Sequence, residues 1–399
     1  MVSKALRGAL ETDSGQVAAW RVALLYGAQF LAIGMMLPLL PVWLAARGLD
    51  AAAIGRVLAA QSLGRVVAQP LLAQVADRSG RMKLVMAACA TLALAALVGL
   101  GLAEGRWPVF IGVVAVAFFF SPLVPLAEVL AVRTGARQGV AYGRMRLWGS
   151  LAFILGAMVA GVLMDVMAPT MLVWALVVAH ALTLAAIVAL PETPAEGQSG
   201  ERDTWAGKGG WRGVLNGTFA LFLLVAGLVQ ASHAMLYGFA ALHWKGLGYS
   251  GTVVGLLVAT GVLAEVALFW FSAQVTARLG AVRLLMLAAT AGIVRWAGMA
   301  MDPPLAVLFV LQSLHAFTFG AAHLGAIAFV RTRVPARLAA TGQALYSALS
   351  MGLFMTAAMW ASGRLYAAYS ARAWLAMAGM CVLALALAVV LRQVGRSPG

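Results

Sequence analysis

The feature that most constrains this chain is a succession of apolar runs, each about as long as a bilayer is thick. A helix needs roughly 20 mostly apolar residues to cross the hydrocarbon core of a membrane. Twelve such runs occur, at about 20–44, 53–75, 84–103, 107–132, 145–165 and 169–190, and then at about 214–243, 251–274, 283–301, 304–330, 340–364 and 370–391. The sequence therefore predicts an all-α membrane protein with 12 transmembrane helices.

Composition excludes the common alternatives. The 399-residue chain is 63% hydrophobic and 10% charged, whereas soluble domains are about 45–50% apolar and about 25% charged. Disordered chains combine low hydrophobicity with high charge, and two cysteines are too few for a disulfide scaffold. About nineteen mixed residues precede the first run, which is also too long for the apolar part of a signal peptide. We expect that run to remain as the first helix.

The basic residues are distributed asymmetrically around these runs. Of the 28 lysines and arginines, twenty lie on the same side of the membrane as the N-terminus and five lie on the opposite side. The five are Arg47, Arg106, Lys245, Arg364 and Arg372. The remaining three, Arg56, Arg65 and Arg295, lie within the runs. Since cytoplasmic loops carry the excess of lysine and arginine, the sequence predicts a multi-pass protein of the cytoplasmic (inner) membrane with both termini inside. The net charge of +15 then reflects orientation and gives no reason to expect a nucleic-acid partner.

An internal repeat relates the two sets of six runs. At an offset of 200 residues, Gly48 aligns with Gly248, Gly55 with Gly255, Gln74 with Gln274, Arg78 with Arg278 and Gly80 with Gly280. We therefore expect an N-terminal half at 1–190, a cytoplasmic linker at 191–213 and a C-terminal half at 214–399. Two pseudo-symmetric six-helix halves resemble the major facilitator fold, whose substrate sites lie near the membrane midplane.

The short loop between the second and third runs resembles the signature loop of the same superfamily. It reads Asp-Arg-Ser-Gly-Arg from residue 77, and Ala73 stands where the superfamily usually has glycine. The glycine permits a tight turn, and the aspartate can cap or pair with helix ends. The resemblance implies that Asp77, Arg78, Gly80 and Arg81 support gating without touching substrate; the alternative is a plain basic turn.

Ionisable residues within the runs need a reason, because a charge at mid-bilayer is costly. Glu128 follows two prolines in the fourth run and Arg146 begins the fifth, so the two can pair or hold a polar substrate. Arg65 and Glu265 occupy equivalent positions of the repeat, which favours a cavity-lining pair or two poles of a substrate site. The alternative is separate neutralisation, for example a structural bridge between Glu265 and Arg295.

Histidines add candidates for proton transfer. His315 and His323 are eight residues apart in the tenth run and share a face, and His233 and Tyr237 form a polar stripe with Gln230 in the seventh. Histidine titrates near neutrality, so each is a possible proton carrier; a satisfied interhelical hydrogen bond is an equally good interpretation. No metal-ligand spacing and no phosphate-binding glycine loop is found in the sequence, so we expect no metal, no cofactor and no ATP-driven pump.

Over nearly its whole length the chain resembles the phenylpropionate permease family of major facilitator transporters, relatives of lactose permease. The segments that carry the resemblance are 119–126, 142–150, 233–239, 292–296, 314–315 with His323, and 343–347. The resemblance implies proton symport of a small organic solute such as an aromatic carboxylate, with the substrate held by the Glu128 and Arg146 pair. It also implies that Glu265, Arg295 and His315 belong to the coupling machinery.

One position departs from the lactose permease pattern. The acid that follows the helix 10 histidine by one turn, and that carries the proton there, falls on Thr318 in this chain. The coupling residue is therefore open between Glu265 and Glu128, and transport without coupling is a further possibility.

The expected function is proton-coupled import by alternating access. The expected substrate-binding residues are Glu128, Arg146, Arg65, Trp148, His233 and Tyr237, and the expected proton-coupling residues are Glu265, Arg295, His315 and His323. An aromatic lining at 118–120 and Trp148 could stack on a ring. The alternatives are a sugar or nucleoside symporter, a drug or metabolite efflux transporter, and a non-transporting membrane sensor or assembly factor. We expect a monomer whose partners are its solute, protons and the bilayer, and not an enzyme.

Overall fold

A computed structural model describes residues 2–191 and 214–394 of the chain. The N-terminal part contains α1 (Val2–Ala46), α2 (Ala51–Ser79), α3 (Met82–Leu102), α4 (Arg106–Phe120), α5 (Leu123–Gln138), α6 (Tyr142–Val166) and α7 (Leu172–Val188). The C-terminal part contains α8 (Gly217–Ala231), α9 (Ala234–Gly246), α10 (Gly251–Trp270), α11 (Ser272–Met299), α12 (Leu305–Ser313), α13 (Ala322–Arg333), α14 (Ala339–Leu345), α15 (Phe354–Tyr369) and α16 (Trp374–Val394). Apart from Pro191, the linker predicted at 191–213 lies outside the described residues.

The predicted all-α membrane architecture is confirmed. Ten segments of the described chain are long and apolar enough to cross a membrane. The helix α2 is not among them because its two arginines within the apolar stretch and the charges near its end lower its hydropathy. The last segment, Ala339–Val394, spans 56 residues and is long enough for two crossings. The pattern is consistent with 12 spans.

Five of the predicted helices are not continuous; the eighth is divided at Phe271, between α10 and α11. The fourth is interrupted at Ser121-Pro122 and the seventh at Ser232-His233, each between two α-helices. The tenth and eleventh contain π-helical segments at Ala316–Ala321 and Tyr346–Leu353. Such segments widen one turn and re-aim side chains, and they occur frequently at functional sites.

The predicted repeat is visible in the backbone of its glycines. Gly48 and Gly248 have φ of 80° and 88°, and Gly80 and Gly280 have φ of 62° and 70°. Positive φ suits glycine because it has no Cβ, so the two members of each aligned pair share this sign of φ at corresponding positions. The break predicted between the eighth and ninth helices is therefore confined to Gly280, where the two halves of α11 meet at a kink.

The contacts divide the chain into two compact units. Unit 1 contains Met1–Arg47, Gly64–Ser199 and Ser250–Gly255, and unit 2 contains Gly48–Leu63, Gly200–Tyr249 and Leu256–Gly399. The start of α2 thus packs with the C-terminal helices and the start of α10 with the N-terminal ones, a difference from the halves expected at 1–190 and 214–399. In unit 2 the core contains a stack of Phe222 on Phe329, with ring centroids 4.2 Å apart.

Candidate functional site

A break in the fourth predicted helix positions Glu128. Pro125 has no N–H, so the carbonyl of Ser121 lacks its usual helical donor. Gln69 of α2 replaces that donor with its Nε2, 3.4 Å from the Ser121 oxygen, and buried Gln29 of α1 donates to the carbonyl of Leu123 at 3.1 Å. The two side-chain amides thus donate hydrogen bonds to backbone carbonyls that lipid could not satisfy. The helix α5 begins at Leu123, directly after this break, and Glu128 lies on its second turn.

Glu128 and Arg146 lie close together, as the sequence predicted. The Arg146 Nε is 3.9 Å from the Glu128 Oε1, and the two side chains are 31% and 46% exposed. This distance is at the outer limit of an ion pair and too long for a hydrogen bond. Both groups therefore keep capacity to bind a further polar molecule.

Aromatic rings of α1 hold the Arg146 guanidinium. Its Cζ lies 4.2 Å from the ring centroid of Phe30 and 5.6 Å from that of Tyr26, distances at which a cation is attracted to the face of a ring. Gly149 makes room, because a Cβ there would lie 2.9 Å from the Arg146 Nη1 and 3.1 Å from the Phe30 ring. The arginine is thus oriented by apolar contacts while its charge stays available.

Two other expected substrate residues of unit 1 lie elsewhere. The exposed Trp148 packs on Trp20, with centroids 5.5 Å apart. Arg65 is exposed on α2, and within the described residues no contact joins it to Glu128 or Arg146. Of the aromatic residues at 118–120, Phe120 is buried against His180, at 4.3 Å between centroids. Their roles as substrate contacts stay predictions.

Arg295 is the centre of a buried polar cluster in unit 2. It is fully buried, and its Nη1 donates to the Thr318 Oγ1 at 2.8 Å while its Nη2 donates to the Gln312 Oε1 at 2.8 Å. The same Nη1 lies 3.1 Å from the His315 Nδ1. Because arginine only donates, Nδ1 of His315 must accept, which leaves the proton of the neutral ring on Nε2.

The protonated side of His315 faces Glu265. The His315 Nε2 is 3.4 Å from the Glu265 Oε2. His315 therefore lies between Glu265 and Arg295, and the contact that the sequence suggested between those two residues runs through the histidine ring. A carboxylate, an imidazole and a guanidinium form one connected series.

Thr318 extends this series to His233. The His233 Nδ1 lies 3.2 Å from the carbonyl oxygens of both Val229 and Gln230, which only accept, so Nδ1 carries the proton. The His233 Nε2 must then accept from the Thr318 hydroxyl, 3.1 Å away. Thr318 receives a hydrogen bond from Arg295 and donates its own proton to His233, and the two neutral histidines take opposite tautomers.

The remaining predicted residues of unit 2 border this cluster. Tyr237 stacks on His233, with ring centroids 5.7 Å apart. His315, Phe319 and His323 form a ladder of near-parallel rings at 5.2 and 6.2 Å, so the two histidines share a face, as predicted. His323 is at the far end of that ladder from Arg295.

The predicted gating loop has a simple geometry. Gly80 ends α2 with a positive φ, and Asp77, Arg78 and Arg81 are exposed. The Lys83 Nζ, two residues on, donates to the carbonyl of Leu190 at 2.7 Å, at the C-terminal end of α7, where a cation is favoured. Support of gating by the four loop residues stays a prediction.

Sequence reasoning missed three members of the buried cluster. Thr318 and Gln312 were not chosen because neither is charged, although they are three residues either side of His315. Ser232 accepts the Trp296 Nε1–H at 3.0 Å, and it belongs to the break before α9. Polar residues at spacing three within an apolar run were the available signal. Within the described part of the chain no three His, Cys, Asp or Glu side chains converge as metal ligands would.

Comparison with known proteins identifies the family of the chain. Residues 19–376 match the MFS_1 like family. The chain is 33% identical to the Probable 3-phenylpropionic acid transporter of Escherichia coli (strain K12) over 334 residues, covering 83% of this chain and 86% of that protein. It is also 33% identical to the Maltose permease of Geobacillus stearothermophilus over 340 residues, 83% of each protein.

A solved structure shows the same fold. The crystal structure of a variant of the nucleoside transporter NupG matches with a TM-score of 0.86 at 18% identity, over 94% of this chain and 99% of that one. Helical architecture, sequence and structural similarity agree, and the relatives are transporters, not enzymes. This chain belongs to the MFS_1 like family and is a multi-pass major facilitator transporter of a small molecule.

Proposed function

We propose that the protein is a proton-coupled symporter that imports a small organic anion, such as an aromatic carboxylate, by alternating access. The observation that carries the proposal is the directed series from Arg295 through His315 to Glu265. In this series the Glu265 carboxylate faces the N–H group of His315, and the buried Arg295 guanidinium lies on the other side of the His315 ring. Carboxylates and histidines in such positions commonly form proton relays.

Glu265 is the proton carrier in this proposal. A second proton on His315 would have to bind Nδ1, where the Arg295 guanidinium donates, so the neighbouring charge opposes it. A proton on the His233 Nε2 would displace the Thr318 hydroxyl proton. Glu265 can gain and lose a proton without reversing any hydrogen bond of the series, which supports it as the carrier; Glu128 is the alternative.

Arg146 is the anion-binding residue in this proposal. Its guanidinium is partly exposed, only loosely paired with Glu128, and held by the rings of Phe30 and Tyr26. A planar guanidinium binds a carboxylate through two parallel hydrogen bonds, and neighbouring rings suit an aromatic solute. The similarity to a protein named as a 3-phenylpropionic acid transporter supports this substrate class.

A sugar is the second candidate. The Glu128 carboxylate, 46% exposed and 3.9 Å from its arginine, retains acceptor sites for hydroxyl groups, and another relative is named as a maltose permease. Competition decides between them: in proteoliposomes containing the full chain, 3-phenylpropionate should block uptake of a labelled aromatic acid, and maltose or a nucleoside should not. Inhibition by maltose alone would favour the sugar.

The coupling role is tested with Glu265→Gln in the same proteoliposomes. We expect the variant to lose accumulation driven by an imposed proton gradient but to keep exchange of labelled for unlabelled solute. Glu104→Gln, an exposed acid in the loop after α3, is the matched control and should accumulate normally. Gradient-driven accumulation by Glu265→Gln equal to that of the unchanged chain would exclude Glu265.

Membrane placement and direction complete the proposal. The twenty basic residues on the N-terminal side support the cytoplasmic membrane with both termini inside, and we propose that the monomer is the working unit. Inside-out and right-side-out vesicles with opposite proton gradients distinguish import from efflux, because a symporter moves solute and protons in the same direction.

A further inference from the structure

An open apolar groove runs along α2 and α15, both of whose groove-forming parts belong to unit 2. The helices touch at Gly55 and Gly363, where a Cβ on Gly55 would lie 2.7 Å from the Gly363 Cα. Next to this contact they leave a space of about 460 Å³. The residues that line it are apolar except for one threonine: Ala59, Ala60, Leu63, Leu353, Thr356, Ala357 and Trp360.

Two arginines continue the groove at one end. On α2, Arg56 precedes Ala60 and Leu63 at spacings of four and seven. On α15, Arg364 follows Trp360 by four residues, and its Cζ lies 3.9 Å from the Trp360 ring centroid. Residues three, four or seven apart share a helix face, so both arginines belong to the helix faces that form the groove, next in sequence to Gly55 and Gly363.

The two arginines are at the same depth. Arg56 is five residues after the start of α2, and Arg364 is five residues before the end of α15, about 7.5 Å along each helix at 1.5 Å per residue. Both side chains are exposed, and among the described residues no carboxylate is paired with either. At that depth a basic side chain extends toward the headgroup layer.

We propose that this groove binds one anionic phospholipid, with its phosphate between Arg56 and Arg364 and an acyl chain along Trp360 and the alanines. Leu63, Leu353 and Trp360 of the groove are exposed although apolar, and in a chain that crosses a bilayer such a surface can take up a hydrocarbon chain. The paired positive charges select an anionic headgroup, as basic pockets between transmembrane helices do. The Trp360 ring contacts Arg364 and also lines the groove, so it connects the headgroup and acyl-chain parts of the site.

Native mass spectrometry of the purified full chain tests the site, with phosphatidylglycerol and phosphatidylcholine as probes. We expect one phosphatidylglycerol to be retained in preference to phosphatidylcholine. The double variant Arg56→Gln/Arg364→Gln should weaken retention about fivefold for each guanidinium removed. Ala60→Phe, which fills the groove without touching a charge, should also release the lipid.

The matched control is Arg106→Gln/Arg372→Gln, two exposed arginines away from the groove. The control should retain phosphatidylglycerol as the unchanged chain does. Equal retention by the groove variants and the unchanged chain, or equal loss in the control, would overturn the proposal. A raised KM for the transported solute in the groove variants, with lipid retention unchanged, would also overturn it and assign the groove to the solute.

Discussion

At the scale of single residues, the hydroxyl of Thr318 connects the two halves of the buried cluster. It accepts from Arg295 at 2.8 Å and donates to His233 at 3.1 Å, and it is fully buried. An uncharged side chain therefore orients both the Arg295 guanidinium and the His233 ring. Its importance follows from partners that are 23 and 85 residues away in the chain, which no local pattern indicates.

We predict that Thr318→Val destabilises the protein. The change preserves the side-chain shape but leaves a buried donor and a buried acceptor without their partner, and each such group costs about 1–3 kcal/mol. Thermal unfolding of the purified chain in detergent should show a lower midpoint. Thr318→Ser keeps the hydroxyl and should unfold close to the unchanged chain; equal midpoints for the valine and serine variants would contradict the hydrogen-bond series.

The charged members of both sites could be predicted from the sequence, whereas their connections could not. Glu128, Arg146, Glu265 and Arg295 are recognisable because a charge within an apolar run requires a partner or a function. The position of His315 between Glu265 and Arg295, and the tautomer that follows from it, depends on the rotation of three helices. Arg65 illustrates the reverse case, since its charge is conspicuous while no described contact links it to the Glu128 pair.

At the scale of the helices, close approach of backbones depends on glycines. In unit 1, a Cβ on Gly255 would lie 3.1 Å from the Gly161 Cα, and in unit 2 a Cβ on Gly55 would lie 2.7 Å from the Gly363 Cα. Small residues allow such contacts in membranes, where packing rather than the hydrophobic effect holds helices together. Gly55 and Gly255 are equivalent positions of the sequence repeat, and each packs against a glycine of another helix, Gly363 and Gly161 respectively.

We predict that Gly363→Leu disrupts the contact of α15 with α2. The new side chain would meet the backbone of Ala51 and Gly55, which cannot move as a side-chain tip can, and overpacking of this kind costs about 1–3 kcal/mol. The unfolding midpoint and the initial rate of solute uptake should both fall. Gly379→Leu, where a Cβ meets nothing within 4 Å, is the control, and equal loss in both variants would refute the argument.

A carboxylate caps the start of α10. Asp165 accepts from the backbone N–H of Gly251 at 2.5 Å and from the N–H and hydroxyl of Thr252 at 2.8 Å each. Those N–H groups lack intrahelical partners, and a negative charge is favoured at a helix N-terminus. The cap joins segments 86 residues apart, so it was not visible in the sequence.

We predict that Asp165→Ala lowers the free energy of unfolding by about 0.5–2 kcal/mol, the usual cost of losing a cap. Hydrogen exchange of the Gly251 and Thr252 amides should become faster in the variant. Asp165→Asn keeps an acceptor oxygen and should lose less than the alanine variant. Unchanged exchange at both amides in Asp165→Ala would show that the cap contributes nothing.

The positions of the helices could be predicted from the sequence better than the interruptions within them. Runs of apolar residues predicted where most of the long helices lie, because length and hydropathy are local properties, but α11 begins at Ser272 and not at the predicted 283. The break at Ser121-Pro122 coincides with the two prolines that precede Glu128. The π-helical segments at Ala316–Ala321 and Tyr346–Leu353 have no proline and depend on packing against neighbouring helices, so periodicity alone did not indicate them.

At the scale of the whole molecule, family membership and the internal repeat describe a transporter, and its two polar sites suggest a division of labour. Unit 1 presents a half-exposed arginine beside aromatic rings, and unit 2 contains a buried series that ends on Glu265. Accessible groups suit a solute that enters and leaves, and buried, fully directed hydrogen bonds suit a proton that must not leak. We infer substrate recognition in the first and coupling in the second.

Proton movement that accompanies solute uptake tests this account most directly. Proteoliposomes with a weakly buffered exterior should show alkalinisation when an aromatic carboxylate is added, because each imported anion takes at least one proton with it. Protein-free liposomes correct for passive entry of the undissociated acid. The account predicts an alkaline shift above that background for the unchanged chain and no such shift for Glu265→Gln. Saturable uptake of the labelled acid without any external pH change would contradict it.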